Sequence, residues 1–309
     1  MNEFSLIEKY FNWSDLNSTH LGVGDDCAVI DIENRCQLVT SVDTLIAGVH
    51  FPLNTSAADI AHKALAVNLS DLAAMGAKPK YFTLAIALPS LEEDWLSEFS
   101  AELKKLSTKF NISLIGGDTT RGSLSITINV IGEVDKGRAL LRSTAKVGDS
   151  IFVSNTIGDA AYAWRQIENG KNPSKDTLRQ LNRPNPQIFL GQKLVNIANA
   201  CIDISDGLEQ DLSHILTKSK VGANIDLASI PLSNEVEAYI ESSNDWCLVI
   251  AGGDDYELCF TVPDENIELL NALQDESGFK ITRIGVIDNS CELTRVGDFD
   301  KKCNSYQHF

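Results

Sequence analysis

The apolar runs of this chain end repeatedly on an aspartate beside glycine or serine. Asp25 and Asp26 stand in GVGDDCAV, Asp43 in TSVDTL, Asp71 in NLSDLAAMG and Asp118 in IGGDTTRG. The second half repeats the pattern with Asp203 and Asp206 in IDISDG and with Asp254 and Asp255 in AGGDDYEL. Between these points strand-like and helix-like runs alternate. Period-two alternation predicts strands at 36–45 and 124–134, and YFTLAIAL predicts another at 81–88. Helical spacing predicts helices over 56–75, capped by Thr55 or Ser56 and ended by Gly76, and over 91–110. The apolar run at 112–115 is expected to stop at Gly116-Gly117. Further on, strands are expected at 151–155, 201–204, 223–227, 279–287 and 291–296, with a strand pair around Val249 and Leu258. Helices are expected after Gly158-Asp159, around Pro184 and Pro186, from Leu208, and over 264–275. FSLIEKYF reads as a short amphipathic helix. This mixture indicates an α/β chain. The Gly- and charge-rich stretch 135–149 reads as a linker between two domains, the number expected for 309 residues.

Composition removes several function classes. The net charge of −17 would repel a nucleic acid or an anionic membrane, and no basic run offsets it. With 43% hydrophobic residues the chain has ample material for packed cores. No apolar run approaches a membrane-spanning length, and the acidic start argues against a signal peptide. The seven cysteines are odd in number, scattered and never in C-x-x-C, which favours reduced thiols in a cytoplasmic protein over a disulfide framework or a zinc site. The P-loop and H-E-x-x-H motifs are absent, and Cys27 stands where the third glycine of a dinucleotide fingerprint belongs. His62 and His214 fall in helical stretches and read as packing or surface residues.

Any single aspartate at a turn or helix start is explained by capping of main-chain N–H groups. As a set they suggest more. Asp71 interrupts an aliphatic helix, Asp43 interrupts an apolar strand, and Asp118 and Asp254 follow double glycines that let a backbone approach a ligand closely. Carboxylates converging on one place repel each other unless hard cations join them. An oxygen-only donor set favours Mg²⁺ with bound phosphates. Arg121 and Arg142 are candidate phosphate clamps or ordinary surface ion pairs.

Taken in order, FSLIEKYF, GVGDDCAV, SVDTLIAGVHF, HKALAVNLSDLAAMGAKP, IGGDTTRG, IDISDGL and AGGDDYELCFTV resemble the thiamine-monophosphate kinases of bacteria, over almost the whole chain. The resemblance implies two α/β domains, 1–137 and 148–309. The first would form a dimeric β-barrel with its twin. The second would be a three-layer α/β unit closing the active-site cleft. The implied reaction converts ATP and thiamine monophosphate to ADP and thiamine diphosphate, with several Mg²⁺ ions, in a cytoplasmic homodimer. Carried over by matching position, Asp26, Ser41, Asp43, Asp71, Asp118, Asp203 and Asp206 are the implied magnesium ligands. Gly117, Asp118, Arg142 and Ser205 are the implied ATP contacts, and His50, Asp254 and Tyr306 the substrate side. Asp43, Asp71, Asp118 and Asp206 carry the chemistry in that reading.

Two positions depart from the family pattern. Val42 stands where Thr is common, which removes a hydroxyl but leaves the main-chain carbonyl. Asp254 stands where Glu is usual, one methylene shorter. The implied nucleophile is a phosphate oxygen of the substrate. A phosphomonoester has its second pKa near about 6 and needs no general base at neutral pH, in keeping with a chain that has no catalytic-looking histidine. A related ATP-dependent synthetase of the wider superfamily and a non-catalytic metal- or nucleotide-binding protein are the alternatives.

Overall fold

The structure, a computed structural model, describes residues 3–12, 19–21, 29–30, 35–299 and 301–305. The chain divides into two units, Met1–Leu72 with Ala77–Arg138, and Ala73–Gly76 with Ala139–Phe309.

The first unit begins with helix α1 (Glu3–Tyr10), then the short strands β1 (Thr19–Leu21) and β2 (Val29–Ile30), which pair antiparallel. There follow β3 (Cys36–Ile46), α2 (Ala57–Ala74), β4 (Lys78–Leu88), α3 (Glu93–Phe110), β5 (Ser113–Arg121) and β6 (Ser125–Asp135). Ser56 caps α2 by accepting the Asp59 N–H at 3.1 Å, and Gly76 leaves it in the left-handed region at φ 67. On α3 the buried side chains Leu96, Phe99, Leu103, Leu106 and Phe110 recur at helical spacing. The strands form one open sheet in the order β3-β6-β4-β5. β3 and β6 pair antiparallel along their whole length, from Cys36 opposite Asp135 to Ile46 opposite Ser125. From Leu38 to Ile46, even-numbered residues of β3 are exposed and odd-numbered ones are partly or fully covered. This edge strand therefore presents Leu38, Val42 and Ile46 outward.

The second unit comprises β7 (Ser150–Ser154), α4 (Asp159–Glu168), α5 (Lys175–Asn182), α6 (Ile188–Leu194), β8 (Ala200–Asp203), α7 (Leu208–Ser219), β9 (Gly222–Asp226), α8 (Asn234–Ser243), α9 (Cys247–Ile250), β10 (Leu258–Val262), α10 (Ile267–Ser277), β11 (Ile281–Asp288) and β12 (Leu293–Val296). Its sheet runs β12-β9-β11-β7-β10-β8, antiparallel except for the β12–β9 edge pair. β7 and β10 are buried throughout, and they pack with Ile202, Leu212, Ile215, Ile225 and Leu248 among the core residues.

Three sequence expectations are corrected. β5 does not stop at Gly116-Gly117 but continues to Arg121, paired parallel with β4. The reason is close approach: a Cβ on Gly117 would lie 1.8 Å from the Leu84 carbonyl oxygen, so glycine here admits the strand rather than breaking it. Val249 lies in helix α9, not in a strand. A four-residue apolar run carries no period that distinguishes the two. Finally, Cys247 and Cys303 form a disulfide, while Cys201, Cys259 and Cys291 are free thiols. The fold brings the C-terminal segment back to α9, a proximity that cysteine spacing does not reveal.

That crosslink joins residues 56 apart in sequence. A loop of this size restricts the unfolded chain enough to contribute about 4 kcal/mol on the loop-entropy relation. Cys303→Ser, or reduction of the wild type by dithiothreitol, is therefore expected to lower the urea midpoint. An unchanged midpoint in both would mean that the crosslink does not constrain the unfolded chain.

Candidate functional site

In the first unit the site starts from a tie between helix and strand. Asn68 is fully buried in α2. Its Oδ1 accepts the Asp43 N–H at 3.1 Å, and its Nδ2 donates to the Ala64 carbonyl at 3.0 Å. An asparagine is poor filler in an aliphatic helix, and here it fixes α2 against β3 at the residue that carries the acid. Asp71 follows one turn later on the same helix side and is half-buried. Ser41, two residues before Asp43, shares its side of the strand, and the Asn129 Nδ2 donates to the Ser41 carbonyl at 2.9 Å. Asp43 falls in the row of Ile128, Leu84 and Gly117. Asp118 falls in the next row, with Ala85, Thr127 and Thr44, and is exposed. Successive rows of a pleated sheet face opposite ways, so Asp43 and Asp118 stand on opposite faces of the sheet. Arg121 ends β5 and is exposed.

His50 lies in the turn after β3. Its Nδ1 accepts the Ile46 N–H at 3.0 Å, so the neutral ring carries its proton on Nε2. Lys63, only 2% exposed, donates Nζ to the His50 carbonyl at 3.0 Å.

In the second unit two acidic loops are laced together by main-chain hydrogen bonds. β8 ends on the buried Asp203, and the turn Ile204–Gly207 leads into α7. The Asp254 N–H donates to the Ser205 carbonyl, the Tyr256 N–H to the Ile204 carbonyl, and the Ile204 N–H to the Glu257 carbonyl, each at 2.8 Å. Asp254 and Tyr256 have φ values of 65° and 51°. For a bulky tyrosine this left-handed backbone is unusual and marks a shape imposed by its surroundings. The Tyr256 hydroxyl donates to the Asp254 Oδ1 at 2.9 Å. Gly253 is required where the loops meet, because a Cβ there would lie 2.4 Å from the Ser205 carbonyl oxygen. Asp206 accepts the Gln210 Nε2 at 3.0 Å. Arg142 is exposed in the segment before β7, next to Leu141, which bridges to Ala200 of β8.

Sequence reasoning missed two acids behind these loops, Asp211 and Glu257, and gave the third, Asp255, no role. The Asp211 Oδ2 accepts the N–H groups of Ser205, Asp206 and Gly207 at 2.9, 3.0 and 3.2 Å. Burial raises this carboxyl to about 7, against the pull of those donors. The Asp255 Oδ1 accepts the Gly158 N–H at 2.8 Å, its Oδ2 is buried without a hydrogen-bond partner among the described residues, and burial pushes its carboxyl well above the usual range. Glu257 accepts from the Ser154 hydroxyl and from Asn155 and Gln187, yet burial raises it to about 8. At sequence level Asp211 is indistinguishable from an ordinary acid in a first helical turn. Asp25, Asp26 and Tyr306 lie outside the described residues.

The candidate ligands are carboxylates and one hydroxyl, the donor set of a hard cation. Among the described residues no three His, Cys, Asp or Glu side chains gather into one metal group. Mg²⁺ commonly takes only one or two carboxylates from a protein and the rest of its oxygens from phosphate and water. These carboxylates, standing in ones and twos, fit that mode. Among the described residues no helix is long and apolar enough to cross a membrane.

Residues 24–134 match the family model for the AIR synthase related protein, N-terminal domain, and residues 146–298 that for its C-terminal domain. The chain is 47% identical over 318 residues to the thiamine-monophosphate kinase of Escherichia coli (strain K12), covering 99% of this chain and 98% of that protein. It superposes on the crystal structure of thiamine-monophosphate kinase from Stenotrophomonas maltophilia K279a with a TM-score of 0.86 at 42% identity, over 91% of this chain and 92% of that one. A structure of AaThiL complexed with AMPPCP and TMP matches with a TM-score of 0.80 at 28% identity, over 90% and 89% of the two chains.

Glu257 gives the second unit a pH dependence whose sign is fixed. Its folded value lies above the ordinary 4.5, so folding favours the proton-bound form. That stabilisation is complete below about 4.5 and is lost as pH rises through about 8. Glu257→Gln cannot ionise. The wild type should therefore lose more melting temperature between pH 5 and pH 9 than the variant does, and parallel losses would place no titration at Glu257.

Proposed function

The chain belongs to the thiamine-monophosphate kinases of the AIR synthase related family, and we propose that it transfers the γ-phosphoryl group of ATP to thiamine monophosphate, giving thiamine diphosphate and ADP. The observation that carries this reading is the pair of rigid acidic platforms, Asp43 with Asp71 tied by Asn68, and Ser205–Asp206 laced to Asp254. They occur in a chain whose identity to such kinases extends over nearly its full length.

In this reading a phosphate oxygen of thiamine monophosphate attacks the γ-phosphorus. The new P–O bond forms as the bond to the β,γ-bridging oxygen breaks, and ADP leaves. The acceptor is already largely a dianion at neutral pH, so no residue has to remove a proton. What remains is positioning and electrostatics. Asp26, Ser41, Asp43, Asp71, Asp118, Asp203 and Asp206 are the proposed oxygen ligands of Mg²⁺. When bound, Mg²⁺ supplies charge neutralisation and Lewis acidity at the phosphates. Gly117 permits close main-chain approach beside Asp118, while Ser205 and Arg142 are the proposed further ATP contacts. On the substrate side, His50 is the proposed contact, its ring oriented by the Ile46 N–H at Nδ1. Asp254, oriented by Tyr256, offers negative charge to a cationic thiazolium, and Tyr306 an aromatic face.

We assign 1–137 and 148–309 as the two domains, the first for ATP, Mg²⁺ and dimerisation, and a cytoplasmic location, where both substrates would be at hand. A homodimer is supported by β3, an 11-residue edge strand carrying exposed Leu38, Val42 and Ile46. An apolar edge of this length invites pairing with a second copy, and closure of two such sheets would give the barrel that the family resemblance implies.

ADP release from MgATP should require thiamine monophosphate. Asp71→Asn and Asp206→Asn should each lower kcat by about 10²–10³-fold, the scale of one lost preorganised contact, with an unchanged circular dichroism spectrum. ADP release independent of thiamine monophosphate would sink the assignment. Sedimentation should give a dimer that Val42→Asp dissociates; a wild-type monomer would refute the β3 interface.

A further inference from the structure

Asp211 has no place in the site so far, yet it is 3% exposed and one of its oxygens collects three consecutive main-chain N–H groups. Successive N–H groups converging ahead of a helix form a nest of the kind that binds phosphate. Here the chain fills that nest with its own carboxylate. α7 has no side-chain cap at Gly207, which has φ 121, so this acid from within the helix does the capping. Two consequences follow. The donors of Ser205, Asp206 and Gly207 are already engaged, so the turn meets a ligand through its side chains. The turn is also held at a fixed height above β8, and through the Ser205 carbonyl it holds the Asp254 loop as well. The neighbouring acid Glu209 does something different: it pairs with Arg295.

We propose that Asp211 is the positioning residue of the Ser205–Gly207 turn, setting Ser205 and Asp206 for the nucleotide by clamping their main-chain N–H groups. This rests on the reading of Ser205 and Asp206 as nucleotide-side groups. A cap that merely stabilised α7 would affect stability alone. A positioning residue affects turnover through the geometry of one turn, and an error of about 1 Å in such a site can cost on the order of 10²-fold in rate.

The test uses the full chain as Asp211→Ala, Asp211→Asn and Glu209→Gln, with two readouts: hydrogen exchange of the amides at 205–207 and steady-state kinetics. In Asp211→Ala, exchange at these amides should accelerate about tenfold or more as their acceptor is lost. kcat should fall by about 10–100-fold and the KM for ATP should rise, while the KM for thiamine monophosphate changes by less than about threefold. Asp211→Asn retains an acceptor oxygen and should recover part of both effects; it also carries the test if the alanine variant does not fold. Glu209→Gln should lower the melting temperature and leave exchange and kcat as in the wild type. Reduced turnover with unchanged exchange at 205–207 overturns the clamp and leaves the site reading standing. Faster exchange with normal turnover removes this turn from the nucleotide machinery, and the proposal falls with that reading. A Glu209→Gln enzyme as slow as Asp211→Ala would reduce the effect to helix stability and overturn the proposal.

Discussion

Four buried carboxylates of the second unit accept hydrogen bonds from neutral donors. Asp211 takes three main-chain N–H groups, Asp255 takes one, Glu257 takes a hydroxyl and two amides, and Asp149 takes the Lys146 N–H with Asn199 and Thr261. Such donors bond to the oxygens and bring no positive charge with them. Burial then raises Asp211, Asp255 and Glu257 above the ordinary carboxylate range. Folding therefore favours the proton-bound forms of these three acids, which hold the loops through hydrogen bonds and not through charge.

The first unit reaches the same end by different means. Its acids sit on a strand whose register is fixed by eleven paired positions and on a helix tied to that strand by Asn68. A strand position cannot drift without moving a whole row of side chains to the other face, so Asp43 is located as firmly as the sheet itself. Functional groups on such elements are placed more accurately than groups on free loops. This lets a chain with no covalent chemistry of its own act by positioning.

The parts of this design legible in sequence are those with a period or a punctuation mark. Helical spacing marks α2 and α3, and alternation marks β3 and β6. Aspartates placed beside glycine and serine flag both acidic loops. β5 misleads because the signal for a break, Gly-Gly, is also the signal for close packing against Leu84. Asn68 and Asp211 are illegible for a related reason: Asn68 holds a strand 25 residues back and Asp211 the turn ahead of its own helix, while the local sequence of each reads as a weak helix residue or a favourable helix dipole. The Cys247–Cys303 pairing is a pure consequence of tertiary proximity.

The two positions that depart from the family resemblance become intelligible in this geometry. Val42 points away from Asp43 and Ser41, on the exposed face of β3 with Leu38 and Ile46. Its loss of a hydroxyl therefore subtracts nothing from the side of β3 that carries Asp43 and Ser41, and its two methyl groups extend the apolar edge. At position 254 the backbone is left-handed, with φ 65. Aspartate enters that region more readily than glutamate, because its short carboxylate can bond locally and its Cβ carries less bulk beyond it. The Tyr256 hydroxyl at 2.9 Å supplies that local bond. The missing methylene thus shortens the reach of the carboxylate but fixes its direction, and in a site that works by preorganisation direction has the larger effect.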